Sequence, residues 1–345
     1  MKRRRTIIKT IIVHLLVFFC VAFIPRKEDR VIIQYPASWP KPEYDFAERP
    51  LSYNIVQLGR KLFYDPILSK DSTISCSSCH LSYTAFTHVD HPVSHGINDS
   101  MGTRNAPVLI NLAWNKLLMW DGAINHIEVQ AMAPITHPLE MGESFPHVLS
   151  KLKRHSLYPQ LFYEAFGDSL IKGEYFLKAL AQFQLTFVSA NAKYDQVMRN
   201  EENVHFTDQE LKGYELFKTH CSPCHPEPLF TTRGFANNGL PVDSQYMDLG
   251  RYTITQDSAD LLKFKIPTLR NIEFSKPYMH DGRFRKLSQA IKHYTDGMIQ
   301  TAGVDSVLQK GVSLNSNERV DLEAFLLTLS DKEFLFNADY TFPRK

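Results

Sequence analysis

Cys76-Ser77-Ser78-Cys79-His80 and Cys221-Ser222-Pro223-Cys224-His225 are two copies of one pattern, Cys-x-x-Cys-His. That pattern is the attachment signature of c-type haem: two thiols add across the porphyrin vinyl groups, and the adjacent imidazole becomes the proximal iron ligand. Two separated copies predict two covalent haems, one on Cys76, Cys79 and His80, the other on Cys221, Cys224 and His225. Paired Cys-x-x-Cys units also build zinc ribbons, but there the pairs stand roughly 15–20 residues apart. Cys79 and Cys221 are 142 positions apart. A thioredoxin-like dithiol does not call for the histidine. The fifth cysteine, Cys20, lies in an N-terminal apolar stretch, so no pair remains for a structural disulfide.

Around the two motifs the chain repeats itself loosely. Gly59-x-x-Leu62-Phe63 precedes the first copy and Gly213-x-x-Leu216-Phe217 the second. Ala85-Phe86-Thr87 and Leu229-Phe230-Thr231 follow them. Further on, Arg104-Asn105 leads to Met119-Trp120-Asp121-Gly122 and then Gln130-Ala131, while Arg270-Asn271 leads to Met279-His280-Asp281-Gly282 and then Gln289-Ala290. The shared order predicts two homologous haem domains, 51–200 and 201–345. Apolar residues Tyr175, Leu177, Leu180, Ala181, Phe183 and Phe187 recur at helical spacing. Asn315-x-x-Glu318 resembles a capping box and predicts a helix through Leu329. The stretches after each haem motif are rich in Pro, Gly and Asn and read as loops around the cofactors. The expected class is all-α, with two cytochrome c-like domains, long loops and little β structure.

Composition is that of a globular protein, 43% hydrophobic and 22% charged. Residues 1–25 open with Met1-Lys2-Arg3-Arg4-Arg5 before an apolar run, the pattern of an export signal or N-terminal anchor. Export suits c-type haem, which bacteria attach outside the cytoplasm, and predicts a periplasmic protein. Residues 26–50, with Pro36, Pro40, Pro42 and Pro50, read as a linker or an arm lying on the surface. Five of the 39 basic residues fall in the export segment; the remaining 34 against 37 acidic ones leave −3, and no nucleic-acid partner is expected from that balance.

The chain resembles the bacterial di-haem cytochrome c peroxidases and the related MauG-type enzymes from about Leu58 to Asp331. The resemblance is carried by Leu58-Gly59-Arg60-Lys61-Leu62-Phe63, Arg104-Asn105-Ala106-Pro107, Trp120-Asp121-Gly122, Gln130-x3-Pro134-x5-Glu140-Met141 and Pro277-Tyr278-Met279-His280-Asp281-Gly282. It implies that Glu140 is the acid/base over the distal face of the first haem, with Gln130 beside it, and that Trp120 relays electrons between the haems. It also implies a calcium ion at the Asn105 side chain and the Ser275 and Pro277 carbonyls. Ala123 departs from the family, which commonly has Arg after Trp-Asp-Gly; a weaker ion pair or propionate contact is expected there, with no catalytic group removed.

Distal ligands are a separate question. His88, His91 and His95 share one loop after His80, and His95-Gly96 fits the family pattern of a histidine that blocks the first iron until the other haem is reduced. Without that ligation the first haem is permanently five-coordinate. On the second haem, related peroxidases place a methionine fourteen positions after the His of His-Asp-Gly; here that position is Tyr294, as in MauG-type enzymes, with Met298 the competing ligand. The resemblance implies reduction of hydrogen peroxide to water with electrons from a small redox protein such as a cytochrome c. A MauG-type oxidase of a protein or small organic substrate is the alternative, and a non-catalytic electron carrier the third, although a carrier has no use for Gln130 and Glu140. Homodimers are common in the family, but no isolated apolar stripe demands one.

Overall fold

The computed structural model describes residues 29–301 and 303–343. The export-segment reading of 1–25, Cys20 included, lies outside the described residues; none of the described helices is long and apolar enough to cross a membrane. The fold is all-α. Its strands are two antiparallel pairs of two residues each: β1 (Arg30–Val31) with β2 (Leu51–Ser52), and β3 (Phe235–Ala236) with β4 (Phe264–Lys265).

Two helix pairs form the frame. Helix α1 (Tyr53–Phe63) crosses α2 (Gly173–Leu185), and α3 (Asp208–His220) crosses α4 (Ser316–Leu327). The predicted stripe is α2, which ends at Leu185 and leaves the buried Phe187 just beyond it. Asn315 caps α4 as expected: its Oδ1 accepts the Glu318 N–H at 3.0 Å, and Glu318 Oε2 accepts the Asn315 N–H at 2.7 Å. The helix stops at Leu327, two residues before the expected end.

Glycine sets both crossings. A Cβ on Gly59 would lie 1.9 Å from the Ala179 carbonyl oxygen and 2.9 Å from Phe183 Cβ. A Cβ on Gly213 would lie 1.9 Å from the Asp321 carbonyl oxygen and 2.9 Å from Phe325 Cβ. The same contact thus recurs in each half. Around it Phe63 meets Phe183 and Phe86, and Phe217 meets Phe325 and Phe230, at ring separations of 5.1–5.9 Å.

The repeat is real, but its register differs from the reading of the dipeptides. Asn111 and Asn271 both have left-handed backbones, at φ +55° and +58°, and their N–H groups bond Phe187 and Leu329 carbonyls respectively. Asn271 is therefore the counterpart of Asn111, not of Asn105. The same offset pairs Met119 with Met279, Trp120 with His280 and Gln130 with Ala290, so the Gln-Ala match is one residue out. What recurs is a backbone conformation rather than an Arg-Asn pair.

Residues 29–50 form an arm rather than a linker. Its Trp39 and Tyr44 are buried, and Trp39 and Tyr35 pack on Trp114 at 5.1 and 5.2 Å. Trp114 Nε1 donates to the Pro40 carbonyl at 2.8 Å. The guanidinium of Arg270, from the second half, lies 4.6 Å from the Trp39 ring and is paired in the interior with Asp195 at 2.7 and 2.8 Å. The arm therefore touches both cores. Residues from Phe334 onward return to the first core, where Arg60 Nε donates to the Thr341 carbonyl and Tyr64 to that of Tyr340.

Overpacking a filled crossing costs about 1–3 kcal/mol, and each kcal/mol lowers Tm by roughly 2–4 °C in domains of this size. Gly59→Ala and Gly213→Ala should each lower the Tm of the haem-loaded protein, measured by calorimetry, by several degrees. Unchanged melting in both would mean that the helices separate at no cost.

Candidate active site

Each Cys-x-x-Cys-His forms one turn closed by a backbone bond from the histidine N–H to the first cysteine carbonyl, at 3.0 Å for His80 and 2.9 Å for His225. The imidazoles are then oriented alike. His80 Nδ1 lies 2.6 Å from the Phe86 carbonyl and His225 Nδ1 lies 3.0 Å from that of Phe230. A carbonyl only accepts, so Nδ1 carries the proton and Nε2 keeps its lone pair, as a proximal iron ligand requires. Phe86 and Phe230 pay for this with left-handed backbones, φ +59° and +54°, uncommon for bulky residues. Burial pushes both histidines down to about 4, which keeps the rings neutral.

A mainly apolar cavity of about 300 Å³ runs from the second haem motif to the junction of the two halves. Cys221, Cys224, His225, Tyr294, Trp120 and Gln130 all line it. The oriented histidines, the free thiols and this cavity fit covalent haem.

The loop after His80 gathers three imidazoles. His91 stacks on His88 and on His95, with centroids 5.1 and 4.1 Å apart. His95 Nδ1 lies 3.1 Å from Asp99 Oδ1, while its Nε2 is buried without a hydrogen-bond partner among the described residues. A carboxylate on one ring nitrogen and a bare second nitrogen is the arrangement of an oriented metal ligand. His88 Nδ1 is likewise buried and unpartnered.

Glu140 lies against this loop. A Cβ on Gly96 would meet the Leu139 and Glu140 carbonyl oxygens at 2.2 and 2.3 Å, and Ile97 N–H donates to the Glu140 carbonyl at 2.8 Å. Burial raises the Glu140 carboxyl above its ordinary pKa, and His137, 4.0 Å away, partly offsets this. Burial and then the Glu140 charge push the Cys79 thiol up to about 11, so this acid sits beside the first haem motif. Gln130 instead lines the central cavity, its Nε2 3.9 Å from Met119 Sδ, and no hydrogen bond joins it to Glu140 among the described residues.

Trp120 occupies the junction. Its Nε1 donates to the Asn105 carbonyl at 2.8 Å and its own carbonyl accepts the Lys265 N–H at 2.7 Å. Asn105 N–H in turn donates to the His280 carbonyl at 2.6 Å. Asn105, Ser275 and Pro277 line the cavity; Asn105 Nδ2 donates to the Pro92 carbonyl at 2.9 Å, leaving Oδ1 for another partner.

With Ala123 in place of an arginine, Asp121 takes its partner from elsewhere. Arg104 Nη1 takes Asp121 Oδ2 at 2.6 Å and its other face grips Asp248 at 2.6 and 2.9 Å, joining the two halves. The equivalent Asp281 is paired by Arg283. Arg104's partner Asp248 is 144 positions away, and pattern reading has no access to such a pair.

Tyr294 sits in a π-helical turn, His293–Gly297, and lines the cavity with the second pair of cysteines. Asn238 Nδ2 donates to Tyr294 Oη at 3.3 Å. Met298 falls after that turn and is not on the cavity wall. Asn238 carries no motif and was not anticipated.

A model of the di-haem cytochrome c peroxidase family matches residues 53–203. The methylamine utilization protein MauG of Methylorubrum extorquens is 35% identical over 305 residues, 85% of this chain and 82% of that one. This chain belongs to the di-haem cytochrome c peroxidase and MauG family. Haem is the cofactor of that family. The cytochrome c551 peroxidase of Nitrosomonas europaea is 33% identical over 288 residues, 82% of each chain. The crystal structure of a MauG-like protein associated with microbial copper homeostasis superposes with a TM-score of 0.81 at 30% identity, covering 91% of this chain and 99% of that one.

The purified protein should carry two covalent haems by mass and pyridine haemochrome assay. Replacing Cys221 and Cys224 with Ala should leave one.

Proposed function

We propose that the chain is a periplasmic peroxidase: hydrogen peroxide is reduced to water at the N-terminal haem with electrons that a small exported redox protein delivers through the C-terminal haem. The observation that carries this reading is the place of Glu140, whose backbone packs on Gly96 next to His95, the residue whose carbonyl lies 3.5 Å from Cys79 Sγ; burial there raises its carboxyl pKa. Bound haem supplies the open iron position and the electrons. Glu140 would take a proton from one peroxide oxygen and return it to the other, so that the O–O bond breaks and the second oxygen leaves as water. Two electrons from the donor and two protons from solvent would then release the remaining oxygen as a second water. Trp120, packed between the halves, lies on the path the electrons take. His95 serves as the gate, with Asp99 orienting its ring. Asn105 Oδ1 with the Ser275 and Pro277 carbonyls offers the hard neutral oxygens that suit calcium.

A second reading, oxidation of a protein or small organic substrate in the manner of the MauG relatives, is favoured by Tyr294. An anionic tyrosinate on the second haem stabilises ferric iron and lowers its potential, which suits an enzyme that holds oxidised states.

Steady-state assays with peroxide and reduced cytochrome c separate the two. Rapid turnover supports the peroxidase, and Glu140→Gln should then lose about 10²–10⁴-fold while keeping both haems. Negligible turnover with a persistent oxidised spectrum supports the oxidase, and near-normal turnover in Glu140→Gln removes this residue from the mechanism.

The distal ligands have their own signatures. Tyr294→Phe should change the ferric ligand-field and near-infrared bands of the second haem, while Met298→Leu leaves them alone. His95→Gly should turn the first haem high-spin as isolated; a wild type already high-spin there means that His95 is not its ligand.

A further inference from the structure

The central cavity gathers two cations with no carboxylate on its wall between them. Lys265, in β4, lines the cavity, and its Nζ donates to a neutral amide oxygen, Asn115 Oδ1, at 2.8 Å. Among the described residues it has no ion pair. Enclosure drops its pKa to about 8, and Arg233 adds to the fall. Arg233 lines the same cavity, with a left-handed backbone at φ +62° and Nη1 on the Trp114 carbonyl at 3.1 Å. Its one carboxylate neighbour, Glu43 at 3.9 Å, is half-exposed, also faces Lys116 and does not line the cavity.

Two like charges converging on an apolar wall are unfavourable unless an anion joins them, because charges withdrawn from water are paired or neutralised. The covalent cofactor brings that anion. Haem carries its vinyl groups towards one edge and its two propionates at the other. A haem tethered through Cys221 and Cys224 therefore presents two carboxylates away from its thioether bonds. Cys221, Cys224, Lys265, Arg233 and Asn115 line the same cavity, Asn115 coming from the N-terminal half.

We propose that Lys265 and Arg233 anchor a propionate of the C-terminal haem, with Asn115 orienting the Lys265 ammonium. This inference rests on haem at Cys221–His225 and not on which reaction that haem serves. Two consequences follow. The cations favour the reduced haem, which carries one more electron, and so oppose the effect of a tyrosinate ligand. The propionate edge is also placed against a residue whose backbone N–H bonds the Trp120 carbonyl, which seats this haem edge against the relay position.

The test uses the haem-loaded full chain. Lys265→Met should shift the propionate bending band of the C-terminal haem in resonance Raman spectra. It should also lower that haem's midpoint potential by at least a tenfold change in the reduction equilibrium, about 59 mV for one electron. Lys265→Arg should keep both near wild type, and the N-terminal haem should not respond. Arg233→Gln carries the same expectation and decides the matter if Lys265→Met does not accumulate with two haems. An unchanged band and potential in a fully loaded variant would overturn the proposal. So would a response confined to the N-terminal haem, or one that appears only when acetate is added, since the anion would then be diffusible.

Discussion

Two backbone hydrogen bonds at the domain junction organise the molecule: Asn105 N–H to the His280 carbonyl, and Lys265 N–H to the Trp120 carbonyl. Residues 105 and 265 occupy equivalent places in the two halves, as do 120 and 280, so each half donates to the other from the same position. A single hydrogen bond contributes only about 1 kcal/mol net. The weight of this pair lies in register, because it fixes how Trp120 sits between the two halves. Arg104, clamped between Asp121 and Asp248, and Trp39, stacked beneath Arg270, reinforce the same alignment from either side.

Within each half the governing constraint is local. A bulky aromatic accepts a left-handed backbone so that its carbonyl reaches the proximal histidine. The strain is held by close packing: Phe86 stacks on Phe187 at 3.7 Å, and Phe230 is enclosed by Tyr194 and Phe217. Core and cofactor geometry are thus one problem. Side chains that fill the interior also aim the group that holds the iron.

Much of this was legible in the sequence. The Cys-x-x-Cys-His motifs name their cofactor, helical spacing announces α2, and Asn315 with Glu318 announces α4. The glycine–phenylalanine motif before each Cys-x-x-Cys-His is readable as a repeat, but its reason, a helix crossing too close for any side chain, belongs to the tertiary fold. Other features leave no such trace. The Arg104-Asn105 and Arg270-Asn271 dipeptides suggested a register that the backbone does not share, since equivalence resides in the left-handed Asn111 and Asn271. The proline-rich arm reads as solvated in composition, yet Trp39 and Tyr44 are buried; short apolar anchors in a polar segment have no period. Lys265 follows Lys263 in a charged stretch and looks like an ordinary surface lysine. Its enclosure is a property of the tertiary fold alone.

The return of residues 334–341 to the first core has a bearing on how the chain is made. Arg60 and the Thr341 carbonyl are separated by 281 positions, so the first core is completed only when the end of the chain has been synthesised. Long-range closure of this kind is slow compared with local helix formation. Cys76 and Cys79 therefore pass through a period in which their surroundings are incomplete.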